Sequence, residues 1–146
     1  MKRLTYLLAF VVVGAAAAGT PAFAQQSGGL RVEFQGPGGH SYGSYGRVSA
    51  LHAAARAVIL MQEALPAGSY QITNLTGGNS VNAIASDGLI ELKLSAANAA
   101  AYKELVAAVT KAAAEGAAAE NAFRGVKTGD LTSGAPATVR SSVTRF

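Results

Sequence analysis

Residues 30–47, LRVEFQGPGGHSYGSYGR, join two signals that leave the chain few options. Over 30–35 the side chains alternate strictly: Leu30, Val32 and Phe34 fall on one face, Arg31, Glu33 and Gln35 on the other. That period of two describes a half-buried strand. It runs straight into a loop in which four of eight residues, Gly36, Gly38, Gly39 and Gly43, are glycine. Glycine adopts positive φ without steric cost and lets backbone N–H groups approach a ligand or a neighbouring chain. Pro37 fixes a turn there. The loop therefore presents His40, Ser41, Tyr42 and Tyr45. The same residues also read as a glycine-rich connector with a solvated histidine, in which the two tyrosines simply pack over the loop.

The rest of the chain supplies what such a strand would pack against. Over 48–65, Val48, Leu51, Ala55, Val58 and Leu65 recur at helical spacing, with His52, Arg56 and Glu63 on another face. Val48 or Ser49 starts this helix, and Pro66 with Gly68 ends it. A second strand is expected at 70–73, interrupted by Gly77-Gly78-Asn79 and resumed in extended form over 80–84. Asp87-Gly88 reads as a hairpin turn into a third strand at 89–94. A second helix is expected over 98–115, with Tyr102, Leu105, Val106, Val109 and Ala113 on one stripe. Ser95 or Asn98 can cap its start and Gly116 its end. Beyond residue 120 the pattern weakens to a tail, with one further strand at 138–143 as an alternative to fraying. No internal repeat stands out. Strand, helix, strand, strand, helix and a last strand make an α+β two-layer sandwich. Its antiparallel-rich four-stranded sheet carries two helices on one face, a ferredoxin-like βαββαβ arrangement.

The chain begins with what reads as a secretory signal over 1–24. Lys2 and Arg3 precede an apolar run, and Ala22-Phe23-Ala24 is a small-x-small cleavage site before Gln25. Residues 25–146 would remain, a polar leader at 25–29 followed by a domain at 30–120 and the tail at 121–146. The expected location is the bacterial periplasm or exterior, with no membrane attachment after cleavage. There is no cysteine, so disulfides, thiolate metal sites and thiol nucleophiles are excluded. The net charge of +4 is not a nucleic-acid footprint. Six basic and seven acidic side chains lie between residues 25 and 120, a net −1. The surplus sits in the tail, where Arg124, Lys127, Arg140 and Arg145 face Asp130. Nucleic-acid binding would need a clustered basic face.

Two segments together resemble a known domain. LRVEFQGPGGHSYGSYGRVSALHAAAR (30–56) and TGGNSVNAIASDGLIELKL (76–94) are similar to the lid, or dimerisation, domain of the zinc-dependent aminoacylase and carboxypeptidase family. Peptidase T, acetylornithine deacetylase and glutamate carboxypeptidase belong to it. The resemblance implies the βαββαβ lid, which in the family associates in pairs. It also implies roles for the loop residues Gly36, Gly38, Gly39, His40 and Ser41 and for Gly77, Gly78 and Asn82 of the second motif. In the family the histidine matching His40 reaches across the dimer to the partner's active site and helps hold the substrate carbonyl or its oxyanion. The asparagine matching Asn82 lines the same site. Donors aimed at developing negative charge work best on a preorganised loop. The family's metal-binding domain supplies histidines and carboxylates for two zinc ions and a glutamate base. This sequence has only His40 and His52, and no H-x-D or Glu-Glu pair. Ser95 stands where the family has a substrate-binding arginine, and Ala85 where it has a proline.

The signal-type segment and the resemblance together point to an exported, stand-alone association module that pairs with itself and is not catalytic alone. No cofactor and no metal of its own are expected. The alternative is an accessory or truncated part of a zinc-dependent peptidase or deacylase. It would contribute His40 and Asn82 in trans to a zinc-hydrolase subunit that supplies the metal ligands. A small-ligand binder using the glycine loop as an anion nest is a third reading.

Overall fold

A computed structural model describes residues 25–146; the signal-type segment at 1–24 lies outside the described residues. The elements run β1 (Gln26–Gln35), β2 (Gly39–His40), α1 (Ala50–Ala64), β3 (Tyr70–Thr76), β4 (Ala83–Ile84), β5 (Asp87–Ala96), α2 (Ala99–Phe123), β6 (Leu131–Thr132), β7 (Ala135–Pro136) and β8 (Arg140–Arg145). Four strands form one antiparallel sheet in the order β3-β5-β1-β8. Both helices pack against it and against each other. This is the ferredoxin-like two-layer sandwich that the sequence pattern implies.

Alternation in the two central strands decides which face is covered. Leu30, Val32 and Phe34 of β1 and Ile90, Leu92 and Leu94 of β5 are buried under the helices. Each fully buried side chain of this size contributes about 2 kcal/mol. The opposite face stays open, and Arg31 there pairs with Glu91 at 2.7 Å. This pair keeps the Glu91 carboxyl below its ordinary range.

Several sequence expectations shift. The leader at 25–29 is not a separate segment, because β1 already begins at Gln26 and pairs with Ala96 at the far end of β5. Asp87-Gly88 is no hairpin turn. Both residues are paired in β5, opposite Gln35 and Phe34, and β3 reaches β5 through the loop holding the second motif. Gly88 is needed instead for close approach, since a Cβ there would lie 2.6 Å from the Ala50 carbonyl oxygen. Of residues 80–84, only Ala83 and Ile84 form a strand.

Gly116 does not end α2 but lies buried inside it. A Cβ at that position would meet the Ala53 carbonyl oxygen at 2.7 Å and the Ala57 nitrogen at 2.7 Å. The helices cross there backbone to backbone. Of the expected face, Val48 and Leu65 at its two ends are buried, but between them the same closeness makes α1 bury Ala50, Ala53, Ala54, Ala57 and Met61. Ala55 is exposed and Leu51 and Val58 are half-buried.

Ser49 caps α1, accepting from the His52 N–H, and Asn98 caps α2, accepting from the Ala101 N–H. Beyond α2, Ser133 and Gly134, both at positive φ, turn the small hairpin of β6 and β7. The final strand is real and lies at 140–145, pairing with β1 from Leu30 to Gln35. Asn121 fixes the approach to β8 by bonding both the N–H and the carbonyl of Val139.

Candidate functional site

The two motifs meet at one end of the sheet. β2 and β4 pair Gly39 with Ile84 and His40 with Ala83, and the Ser41 N–H donates to the Asn82 carbonyl at 2.8 Å. Gly38 and Gly39 have φ of +61° and +142°, which lets the strand leave β1 and fold back onto the second motif. The Gly36 N–H closes the base of the loop on the Ser86 carbonyl.

His40 and Asn82, 42 positions apart in sequence, are brought side by side: His40 Nε2 and Asn82 Nδ2 are 3.3 Å apart. The Tyr42 N–H donates to His40 Nδ1 at 3.2 Å, so in the neutral ring Nε2 carries the proton. Two donors cannot bond each other. The arrangement is satisfied when the Asn82 amide turns its oxygen to the histidine and its nitrogen to Ser80. Ser80 Oγ is the other partner of the Asn82 side chain. The histidine is exposed at the loop tip. Tyr42 and Tyr45 do not pack over the glycines: both are 93% exposed, because the turn at 41–46 projects them outward. Ser95 lies at the opposite end of β5, opposite Ser27.

Behind the loop sits a cluster the sequence patterning did not single out. Glu120, in α2, is fully buried. Its carboxylate accepts from the Ser49 N–H at 3.1 Å, Arg56 Nε at 3.1 Å and Arg124 Nε at 3.3 Å. Burial acts to raise its pKa, but these donors together outweigh it and hold the carboxyl below its usual range. His52 Nδ1 stands 3.8 Å away. His52 and Arg56 both reach solvent while facing the same buried acid. Arg56 and Arg124 also lie over the ring of Phe123, at 5.0 and 4.9 Å. The visible hint in the sequence was the Glu120 to Arg124 spacing of four, which favours a helical ion pair.

Between the glycine loop, the second motif and the start of α1 lies a cleft of about 580 Å³. Arg47, His52, Arg124 and the Gly77-Gly78 backbone line it; His40 and Asn82 do not. Among the described residues no group of three or more His, Cys, Asp or Glu side chains is placed to hold a metal ion. The residues present do not fit a zinc pair.

The four-stranded sheet, two helices and paired glycine motifs define a domain of ferredoxin-like type. The model of the peptidase dimerisation domain matches residues 25–121, and the chain belongs to that family. Solved structures with the same fold include an aminobenzoyl-glutamate utilization protein from Klebsiella pneumoniae, at 16% identity and TM-score 0.60, covering 87% of this chain and 31% of that one. A hydantoinase/carbamoylase family amidase from Burkholderia ambifaria matches at 21% identity and TM-score 0.62, covering 86% of this chain and 28% of that one. The aminopeptidase PepT from Bacillus cereus matches at 16% identity and TM-score 0.60, covering 83% and 29%. The chain thus spans under a third of the length of these structures. No curated protein matches it.

Proposed function

We propose that this chain is an exported, stand-alone association module that pairs with a second copy of itself through the β3 edge and the outer side of α1. The contrast between the two edges of the sheet carries this reading. β8 bears Arg140 and Arg145 at its ends, whereas β3, YQITNLT, holds no charged residue and no proline. Edges without such guards are templates for strand pairing. Joining β3 to its copy about a two-fold axis would make one continuous eight-stranded sheet. Ile59 on α1 is 56% exposed and Leu75 on β3 is 44% exposed. Sedimentation of the purified protein at micromolar concentration should show a dimer; a strictly monomeric boundary would remove the reading. Export is tested separately. Expression of the whole chain in a bacterium should give a periplasmic product beginning at Gln25, and a cytoplasmic product retaining Met1 would count against it.

A second reading rests on the His40–Asn82 pair. Held at an exposed loop tip, these two side chains would complete the site of a separate zinc-hydrolase subunit, whose own residues would hold the metal. His40→Ala should then abolish hydrolysis by the mixed complex while leaving the dimer intact. Unchanged hydrolysis would end the idea.

A further inference from the structure

The cleft behind the glycine loop has a chemistry that the His40–Asn82 pair does not use. Its side chains include two guanidinium groups, Arg47 and Arg124, and the imidazole of His52, and no aspartate or glutamate lines it. The nearest carboxylate, Glu120, is buried beneath and already bonded to Arg56 and Arg124. Two guanidinium groups already share that one carboxylate, and Arg47 adds a third to the lining, so the cleft keeps a surplus of positive charge.

The two arginines differ in what they have left to offer. Arg47 is committed, donating to the Gly38 carbonyl at 3.1 Å and to Ser133 Oγ at 3.3 Å. Arg124 uses only Nε on Glu120, and among the described residues its two Nη groups have no hydrogen-bond partner. Its guanidinium is nonetheless held in place, lying over Phe123 at 4.9 Å. An oriented guanidinium with a free edge is the group that binds a carboxylate well. Apolar side chains, Leu51, Val81, Ile84 and Ala85, also line the cleft. A volume of about 580 Å³ falls in the range of small-molecule pockets, which combine apolar walls with a few placed polar groups.

We propose that this cleft binds a short-chain organic carboxylate, its anionic head at Arg124 and His52 and its apolar body along Leu51, Val81 and Ala85. The apolar wall selects against inorganic anions, and the guanidinium selects against neutral analogues of the same shape. Nothing in this assignment depends on self-association, so the oligomeric state and the binding can each fail without the other.

The test is titration of the purified protein with hexanoate, hexanamide and inorganic phosphate, followed by calorimetry and by NMR shifts of His52 and Arg124. Hexanoate should bind at millimolar concentration, weakening as salt rises, while hexanamide and phosphate bind about tenfold or more weakly. Arg124→Gln should weaken hexanoate binding by about tenfold or more and Arg124→Lys by less. Because Arg124 also supports Glu120, a second variant leaves that support untouched. Val81→Glu puts a carboxylate at the fully exposed rim of the cleft and should cut binding by a similar factor. Equal binding of hexanamide or phosphate, unchanged binding by Val81→Glu, or no binding of hexanoate would each overturn the proposal.

Discussion

The backbone N–H of Ser49 donates to the Glu120 carboxylate across 3.1 Å, so the residue that caps the start of α1 is gripped from within α2. The carboxylate is fully buried, yet no buried side-chain polar atom among the described residues lacks a partner. Two helices that touch mainly through alanine and glycine have little side-chain interlock to fix their relative position. Glu120 supplies it at one end, and it sets the stage for the cleft, since Ser49, His52 and Arg124 all line that cavity.

Replacing Glu120 should therefore do more than remove a charge. Glu120→Ala leaves Arg56 and Arg124, both against Phe123, without their shared carboxylate and orphans the Ser49 N–H. Removing one partner of a buried ion pair costs about 3–5 kcal/mol when the other is buried too. Here both arginines reach solvent, so a loss of about 2–3 kcal/mol is expected. Urea unfolding checks it, and Glu120→Gln should recover part of the loss by still accepting from Ser49.

Acid should weaken the fold through the same group. The folded-state pKa of Glu120 lies below its ordinary value, so between the two the unfolded chain binds more protons. Stability from this group is then fully present above about pH 4.3 and is lost as pH falls through the folded-state value. Glu91 shifts the same way, held down by Arg31. Melting temperatures taken from pH 7 to pH 3 should fall in the wild type. The gap between wild type and Glu120→Gln should narrow over that interval.

Gly116 gives a prediction in which two effects oppose. Alanine is favoured over glycine inside a helix by about 1 kcal/mol. A Cβ at 116, however, would meet backbone atoms of Ala53 and Ala57 at 2.7 Å, and backbone cannot step aside as a flexible side chain would. Overpacking of this kind costs about 1–3 kcal/mol, so the clash wins and Gly116→Ala should lower stability. Gly125, with open space around it but a φ of +68°, should lose stability through strain alone when changed to alanine. Comparing the two by urea unfolding separates packing from backbone conformation.

These residues also show what a sequence can reveal and what it cannot. The alternation at Leu30, Val32 and Phe34 and at Ile90, Leu92 and Leu94 identified the covered sheet face correctly, because a strand's side-chain period leaves no freedom once one face is buried. The order of elements followed from it. The α1 face was right at Val48 and Leu65 but misread between them, because a pattern of large apolar residues assumes ordinary helix spacing. Helices in backbone contact bury alanines, and Leu51 and Val58 are left at the margin. Gly116 was misread for the same reason, since a glycine near the end of a helical pattern looks like a cap until its neighbour across the crossing is known. The resemblance singled out His40 and Asn82 but did not set them side by side, and nothing in a spacing of 42 residues places two side chains together. Glu120 went unnoticed because its partners Ser49 and Arg56 come from a different helix.

The tautomer of His40 is open to direct measurement. With Nδ1 accepting from the Tyr42 N–H at 3.2 Å, the neutral ring should carry its proton on Nε2, facing Asn82. Long-range ¹H–¹⁵N spectra should show a protonated Nε2 and a bare Nδ1. Asn82→Ala should leave that assignment unchanged, because the Tyr42 bond fixes it. It should raise the mobility of the ring, because the second anchor is gone. A protonated Nδ1 in the wild type would contradict the geometry.

Self-association, finally, can be separated from folding by choosing side chains that already face solvent. Ile59 of α1 and Leu75 of the uncharged β3 edge are large, apolar and exposed, so lysine at both positions should cost the monomer little, about 0.5 kcal/mol or less each. Across a two-fold interface each substitution is made twice and sets like charges near one another. The Ile59→Lys/Leu75→Lys variant should therefore have a dimer dissociation constant raised about a hundredfold or more, with its unfolding midpoint in the monomeric range nearly unchanged. Matching lysines placed on the other edge, at Ser142 and Thr144 of β8, serve as the control and should leave the dimer intact. If the β8 variant dissociates and the β3 variant does not, the association surface lies on the opposite side of the sheet.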